Sequence, residues 1–206
     1  MIVRMDPIDA VAAVRRSVSS TTAEDGRDAR AVVAERTYPA PAPDVWDALT
    51  SIERLPRWFA PVSGDLRLGG RYAIEGNASG TITACEPPHH LALTWEFDGD
   101  VSWVDVTLTA TGEATTLRLT HVAPVGDHWE RYGAGAVGIG WDLGLLGLAE
   151  HLRTGANVAA QEPDPAIVEF MRGCGESWGD AEIAGGADAD GARARAAATV
   201  AFYTGG

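Results

Sequence analysis

The sequence predicts an α+β protein with a seven-stranded antiparallel sheet and a long C-terminal helix. From Ser63 to Ala123, apolar and polar residues alternate with a period of two, and Gly- or Pro-containing turn signals divide the stretch. Residues 137–153 place apolar side chains at helical spacing instead. With 46% hydrophobic content, the 206 residues can form the core of one domain. A run of strands followed by a helix is typical of the α+β class.

The part of the chain before the alternating region predicts helices and one strand. Asp6-Pro7 supplies an N-cap followed by proline at the first helical position, so a short helix begins there. Residues 19–28 predict a polar linker. A strand over 29–38 should stop at Pro39, which has no N–H for a sheet. Two short helices should follow, the first from Pro43 to Thr50 and the second carrying Ile52, Leu55, Trp58 and Phe59.

Six further strands are predicted, and the strand 29–38 brings the total to seven. One of them has Val104, Val106 and Leu108 on one face and mixed residues on the other, as a sheet covered on one side requires. The six predicted ranges are 63–68, 70–75, 79–86, 90–97, 101–110 and 114–122.

The C-terminal part predicts helices with one interruption. Asp127 can start a helix that runs to about Arg153, but each of its six glycines costs about 1 kcal/mol relative to alanine. We therefore expect a break near residues 133–138 and a regular helix from about Val137. This helix is apolar nearly all round, so other residues must bury the side that does not face the sheet. The predicted organisation is an N-terminal helix and linker (1–28), a main domain (29–155), and a helical extension packing on that domain (156–206).

Charge and composition limit the classes of partner. The formal net charge is −13, and all 16 basic residues are arginine. Such a chain opposes binding to nucleic acid or an anionic membrane, because counterion release needs a positive face. Residues 1–20 contain no apolar run of signal-peptide length, and the longest apolar stretch, 133–149, contains Asp142 and six glycines. The expected location is cytoplasmic.

Short motifs for nucleotide, metal or nucleophile sites fail in context. The GxGxxG pattern at 133–138 follows a predicted helix, whereas a dinucleotide site follows a strand. The GxSxG pattern at 175–179 also follows a helix, and no histidine comes after Ser177. The chain has no lysine for a phosphate loop and no histidine or cysteine cluster at metal-ligand spacing. No cofactor and no metal are therefore expected.

One stretch resembles a known family. Residues 36–58 read RTYPAPAPDVWDALTSIERLPRW, and the likeness continues through residues 68–72, 93–95, 117–121 and Gly140-Trp141. These segments resemble the START-like (SRPBCC) superfamily, most closely the branch of the activator of heat-shock-protein-90 ATPase homologue. The resemblance covers roughly residues 30 to 153. It implies a helix-grip fold, in which the seven-stranded sheet wraps around the long C-terminal helix, with extra helices at both ends.

The resemblance also implies a cavity between the sheet and the long helix. Aromatic side chains there could stack on a flat hydrophobic ligand or could simply fill the cavity, and the sequence leaves both open. Glycines beside Trp141 should leave room for a ligand. The sequence does not identify a catalytic residue. His121 could act as a general base if a carboxylate such as Glu96 or Asp105 oriented it. The predicted ligand-binding residues are Trp58, Phe59, Tyr72, Trp95, Trp103, His121 and Trp141.

The function predicted from these observations is binding of a small, mainly apolar or aromatic molecule. Because the superfamily includes carriers, cyclases, hydrolases and chaperone partners, the fold does not choose among them. Two alternatives stay open. One is a protein-interaction module of the chaperone-partner type, and the other is a polyketide cyclase-like or hydrolase-like enzyme with an inward-facing acid/base pair. A homodimer is also compatible with the sequence.

Overall fold

A computed structural model describes residues 6–159 and 165–205. Its helices are α1 (Pro7–Ala12), α2 (Ala42–Thr50), α3 (Asp127–Tyr132), α4 (Gly135–Thr154), α5 (Ile167–Ala184) and α6 (Ala189–Thr204), with a 3₁₀ turn at Leu55–Arg57. Its strands are β1 (Arg15–Thr22), β2 (Asp28–Tyr38), β3 (Val62–Gly64), β4 (Arg71–Ile74), β5 (Ser79–Glu86), β6 (His90–Phe97), β7 (Asp100–Thr111) and β8 (Ala114–Pro124).

The strands form one antiparallel sheet in the order β1-β2-β8-β7-β6-β5-β4-β3. Within it, β6 pairs with β7 along the whole length of β6, from His90 opposite Thr107 to Phe97 opposite Asp100. The predicted α+β fold, with an antiparallel sheet and a long C-terminal helix, is confirmed. The strand count is eight rather than seven.

The additional strand is β1, where the sequence predicts the end of a helix and the start of a polar linker. Helix α1 begins as predicted, with the Asp6 carboxylate accepting hydrogen bonds from the backbone N–H groups of Ile8 and Asp9. It ends at Ala12, and β1 begins at Arg15. Val18 is the buried residue of this edge strand, so no apolar alternation reveals it in the sequence. Contacts from α5, which comes about 150 residues later, cover it instead.

Three predicted elements are shorter in the structure. The second of the paired helices is reduced to the 3₁₀ turn Leu55–Arg57. The predicted strands 63–68 and 70–75 shrink to β3 and β4, because a turn occupies residues 65–70. In that turn the Gly70 N–H donates to the Arg67 carbonyl, and Gly69 has a φ of +78°. The short strands are separated by a conformation that glycine tolerates well.

The predicted break before the long helix is confirmed. Helix α3 ends at Tyr132, Gly133 has a φ of +59°, and α4 starts at Gly135 and runs without interruption to Thr154. A side chain on Gly133 would collide with the Glu182 carboxylate. This glycine is therefore required both by its backbone conformation and by the close approach of α5.

The chain forms two compact units. Unit 1 comprises Met1–Ala34, Val122–Leu143 and Glu162–Gly206, and unit 2 comprises Glu35–His121 and Gly144–Gln161. Strands β2 and β8 and helix α4 contribute residues to both. The domain boundaries predicted at residues 28/29 and 155/156 stay a prediction.

Unit 1 is held together by a buried ion pair. Arg16 of β1 donates to both carboxylate oxygens of Asp142 in α4, at 3.1 and 3.0 Å. The indole N–H of Trp178 in α5 donates to the same carboxylate at 2.8 Å. Burial raises the pKa of the Asp142 carboxyl, while the Arg16 guanidinium and the Trp178 N–H oppose that shift. Two further hydrogen bonds, to the carbonyls of Val11 and Val14, satisfy the guanidinium.

Helices α5 and α6 fill space beside the glycines of α4. A side chain on Gly138 would overlap the Trp178 ring, and one on Gly140 would lie 3.2 Å from the Tyr203 hydroxyl. The sequence predicts that glycines near Trp141 leave room for a ligand. At Gly138 and Gly140 this prediction is wrong, because side chains of the C-terminal helices occupy the room.

Candidate functional site

One face of the sheet in unit 2 is turned toward residues 144–154 of α4. The Tyr38 hydroxyl at the end of β2 donates to the Leu145 carbonyl at 3.2 Å. His121 of β8 lies 2.8 Å from the Ser102 hydroxyl of β7, so every second residue from these two belongs to that face. We call it the inner face. Its residues are Arg36, Tyr38, Tyr72, Ile74, Ile82, Leu91, Leu93, Trp95, Ser102, Val104, Val106, Leu108, Thr115, Leu117, Leu119 and His121.

An apolar cluster occupies the end of the inner face formed by β4, β5 and β6. Tyr72, Ile74 and Ile82 are its buried members, and Phe59 and Trp95 pack against them. The Tyr72 hydroxyl donates to the Thr94 carbonyl at 2.7 Å, and burial raises its pKa. Three predicted site residues, Phe59, Tyr72 and Trp95, therefore meet in one cluster.

Trp58 stands next to this cluster but is anchored to α2. Its ring centroid is 5.5 Å from that of Phe59, and its indole N–H donates to the Ala48 carbonyl at 3.0 Å. Its backbone carbonyl oxygen would lie 2.6 Å from a side chain placed on Gly147 of α4. The glycine is required by this close approach of the backbone. Gly144 has more room, because the nearest atom to an added side chain is on the Phe59 ring at 3.8 Å.

Trp103 lies on the opposite face from Trp95. In the β6–β7 register Trp95 is opposite Ser102 and Thr94 is opposite Trp103, and successive side chains of a strand point to opposite faces. The alternation therefore points the Trp103 indole away from the inner face. Trp141 is half-buried in α4, in unit 1, and its place in a binding site stays a prediction.

His121 is buried and lies beside the half-buried Ser102. The imidazole is 2% exposed, and burial lowers its pKa to about 4. The Ser102 hydroxyl, which donates to the Trp95 carbonyl at 3.3 Å, lies 2.8 Å from its Nε2 atom. The carboxylates that the sequence suggested as orienters are engaged elsewhere. Glu96 pairs with Arg71 at 2.9 Å, and Asp105 lies 2.6 Å from His90.

Two polar residues of the inner face, Ser102 and Arg36, were not among the predicted site residues. Ser102 is inconspicuous because single serines in strands are common. Arg36 had a usable signal, since it stands at an apolar position of the alternation Val32, Ala34, Arg36, Tyr38. A charged residue in the apolar phase of a strand is unusual.

The inner face is buried unevenly. Val104, Val106 and Leu108 on β7 are buried, but Leu91, Leu93 and Trp95 on the neighbouring strand β6 are only partly buried. Apolar side chains that face a covering helix are normally buried. This side of the sheet thus offers accessible apolar and aromatic surface.

Residues 6–159 and 165–205 also bear on two other kinds of partner, a membrane and a metal ion. None of the helices there is both long and apolar enough to cross a membrane. The same residues contain no group of three or more His, Cys, Asp or Glu side chains that could hold a metal ion.

Known proteins share this fold and part of this sequence. The model of the family described as Activator of Hsp90 ATPase homolog 1-like protein matches residues 39–153. The crystal structure of CalU16 from Micromonospora echinospora is 32% identical, covering 82% of this chain and 98% of that one, with a TM-score of 0.68. The solution structure of the same protein is 33% identical, covering 84% and 97%, with a TM-score of 0.71.

Two further structures are similar over a shorter part of the chain. DynU16, a protein in the dynemicin biosynthetic locus, is 28% identical over 62% of this chain and 49% of its own, with a TM-score of 0.55. MLL2253 from Mesorhizobium loti is 29% identical over 61% and 98%, with a TM-score of 0.54. No curated protein matches significantly. The chain belongs to the family of Activator of Hsp90 ATPase homolog 1-like proteins.

Proposed function

We propose that the protein binds a small, mainly apolar or aromatic molecule between the inner face and residues 144–154 of α4. The observation that carries this proposal is the partial exposure of Leu91, Leu93 and Trp95 beside the buried inner-face residues of β7. A ligand laid on β6 would remove this apolar surface from water, which is worth roughly 25 cal/mol per Å².

Two further observations support the proposal. Phe59 and Trp95 pack against one cluster, so an aromatic ligand would meet ring surfaces from two elements. Gly144 keeps that end of α4 free of side-chain volume. DynU16, which is similar to this chain, comes from a biosynthetic locus. This favours a function that involves a small molecule.

Binding can be tested with 2-naphthol, titrated while tryptophan fluorescence is followed. We expect saturable one-to-one binding that Trp95→Leu weakens about tenfold, because a large aromatic contact is lost. Trp103→Leu is the matched control, since it changes a tryptophan on the next strand but on the other face. Equal losses in the two variants, or no saturable binding of naphthol and similar aromatic probes, would refute the proposed site. Independently of these titrations, native mass spectrometry of protein purified from its own host would identify a ligand that the protein retains.

An enzymatic role is the second candidate, and the Ser102–His121 pair favours it. Serine next to a neutral imidazole can act as a nucleophile with a general base. However, with a pKa of about 4 the imidazole is a weak base near neutral pH, where general bases work best with a pKa close to 7. Hydrolysis of 4-nitrophenyl esters that Ser102→Ala abolishes would support this role. Equal rates in Ser102→Ala and the parent protein would dismiss it.

A further inference from the structure

Arg36 is a charged residue on the inner face. Its neighbours Glu35 and Thr37 reach across the other face, to Arg118 and Thr116 of β8. Alternation along β2 therefore turns Arg36 to the same side as Tyr38, whose hydroxyl bonds to α4. The carbon at the centre of its guanidinium group lies 5.7 Å from the centre of the Tyr38 ring. The arginine stem thus runs along the inner face, with its head over an aromatic ring.

The guanidinium group of Arg36 is incompletely satisfied. Its Nη1 atom is buried and has no hydrogen-bond partner, and among the described residues it is the one buried side-chain nitrogen or oxygen in this condition. No carboxylate within residues 6–159 and 165–205 forms an ion pair with Arg36. Arginine stays protonated in proteins, so neutralisation cannot relieve the cost of burying it. An unpaired buried charge is strongly unfavourable, and a site that retains one is suited to binding an opposite charge.

Three carboxylates of the sheet, on β2, β6 and β7, are directed to the other face. Glu35 pairs with Arg118 at 3.0 Å, and Glu96 pairs with Arg71 at 2.9 Å. Asp105 lies beside His90, also on that face. Arg71 and Arg118 on the other face therefore each have an acidic partner, whereas Arg36 on the inner face has none within residues 6–159 and 165–205.

We propose that the molecule bound at the inner face carries a carboxylate, and that Arg36 binds it. This inference rests on the proposed binding function and specifies the chemical class of the ligand as an aromatic carboxylate. The planar guanidinium fork can donate to both oxygens of a carboxylate, while the apolar body of the ligand lies against apolar residues of the inner face. Because the chain carries a net charge of −13, an anion is repelled at long range and requires a local positive group.

The test compares two probes of the same shape, 2-naphthoate and 2-naphthamide, at pH 7. The parent protein should bind the carboxylate at least about tenfold more tightly than the amide, the usual size of a charge-assisted hydrogen-bond effect. In Arg36→Met the preference should fall to within about twofold, through loss of naphthoate affinity alone. Arg118→Met, which removes an arginine from the other face, should keep the full preference. This control separates a local contact from a change in net charge.

The possible results distinguish the role of Arg36 from the binding function itself. Equal affinity for both probes in the parent protein, or an unchanged preference in Arg36→Met, would overturn the role of Arg36 while leaving the binding function intact. Failure of both probes and of neutral aromatic probes such as naphthol to bind would overturn the binding function itself. Should Arg36→Met fail to fold by circular dichroism, Arg36→Lys replaces it. That variant keeps the charge but loses the fork, so an undiminished preference for naphthoate in it would overturn the bidentate contact.

Discussion

His121 shows at the residue scale how burial sets the chemistry of a side chain. The imidazole is fully enclosed in unit 2, its Nε2 atom is next to the Ser102 hydroxyl, and its pKa is lowered to about 4. The ordinary value for histidine is about 6.5. The folded protein therefore holds this residue neutral over the whole physiological range.

This burial predicts a loss of stability in acid. Between pH 6.5 and pH 4 the unfolded chain binds a proton at His121 that the folded protein excludes. The free energy of unfolding therefore includes the full contribution of the neutral His121 above about pH 6.5. As the pH falls toward 4 this contribution is lost, a total of about 3 kcal/mol. Urea unfolding of the parent protein and of His121→Gln at several pH values would measure it. The free energy of unfolding of the variant should change less steeply over this window.

The control for this prediction is His90→Gln, because His90 is on the other face beside Asp105. Replacing it should leave the steep dependence between pH 6.5 and pH 4 in place. If His121→Gln and the parent protein lost stability in parallel, the buried imidazole would not be the group that titrates.

At the element scale, the glycines of α4 have different roles despite their similar positions in the sequence. Gly138 lies against the Trp178 ring, Gly147 lies against the Trp58 carbonyl, and Gly144 has only ordinary contact with Phe59. The first two permit close packing that a methyl group would prevent. Gly144 bears the usual entropic cost of glycine in a helix without that benefit.

Two alanine substitutions separate these roles. Gly144→Ala should raise the free energy of unfolding by up to about 1 kcal/mol, because alanine favours the helix and fits beside Phe59. Gly138→Ala should lower it by roughly 1–3 kcal/mol, because the new methyl group overlaps the Trp178 indole. Denaturant titrations of the two variants give the comparison directly. Stabilisation by both substitutions would mean that Trp178 can move aside.

The ion pair that joins β1 to α4 predicts a strong coupling. Asp142→Asn should cost roughly 3–5 kcal/mol of unfolding free energy, because it leaves the Arg16 guanidinium buried beside a neutral partner. In a double-mutant cycle with Arg16→Met, the second substitution should recover part of that loss. Asp190→Asn, which breaks an exposed pair with Arg193, should change stability by no more than about 0.5 kcal/mol. Additive losses at Arg16 and Asp142 would show that the pair is not coupled.

For the whole molecule, the sequence predicts what depends on local pattern. The ranges predicted for β5 and β6 match the structure to the residue, because alternation and flanking turns define each strand by itself. The position of Trp103 depends instead on the register between strands, and counting aromatic residues could not show that it faces away from Trp95. Strand β1 depends on cover from α5, and a window of nearby residues contains no trace of that contact.

The same reason explains the misread glycines. Gly138 and Gly140 look like vacant volume in the sequence, but Trp178 and Tyr203 fill it from roughly 40 to 60 residues further along the chain. Arg36 and Ser102 escaped because a single strand does not show which of its faces is covered. Long-range packing, rather than any weakness of the local signals, accounts for the differences.

The packing of the C-terminal helices against α4 predicts that the protein loses stability when they are removed. Ala134, Ile139 and Asp142 are buried, and within unit 1 they lie beside residues of α5. Removal of everything after Gly155 would expose them and leave the Asp142 carboxylate without the Trp178 N–H. We expect this truncation to cause aggregation or a large drop in the melting temperature, because apolar surface and an incompletely paired charge reach water together.

A matched truncation that removes only Gly205 and Gly206 preserves the contact of the Tyr203 hydroxyl with the Ala136 carbonyl. It should leave the melting temperature unchanged, so any loss in the longer truncation belongs to residues 156–204. Size-exclusion chromatography and a thermal melt of both proteins provide the readout. If the chain ending at Gly155 stayed monomeric and melted at the parent temperature, residues 134–142 would not need their cover, and the helical extension would have to be explained by function rather than stability.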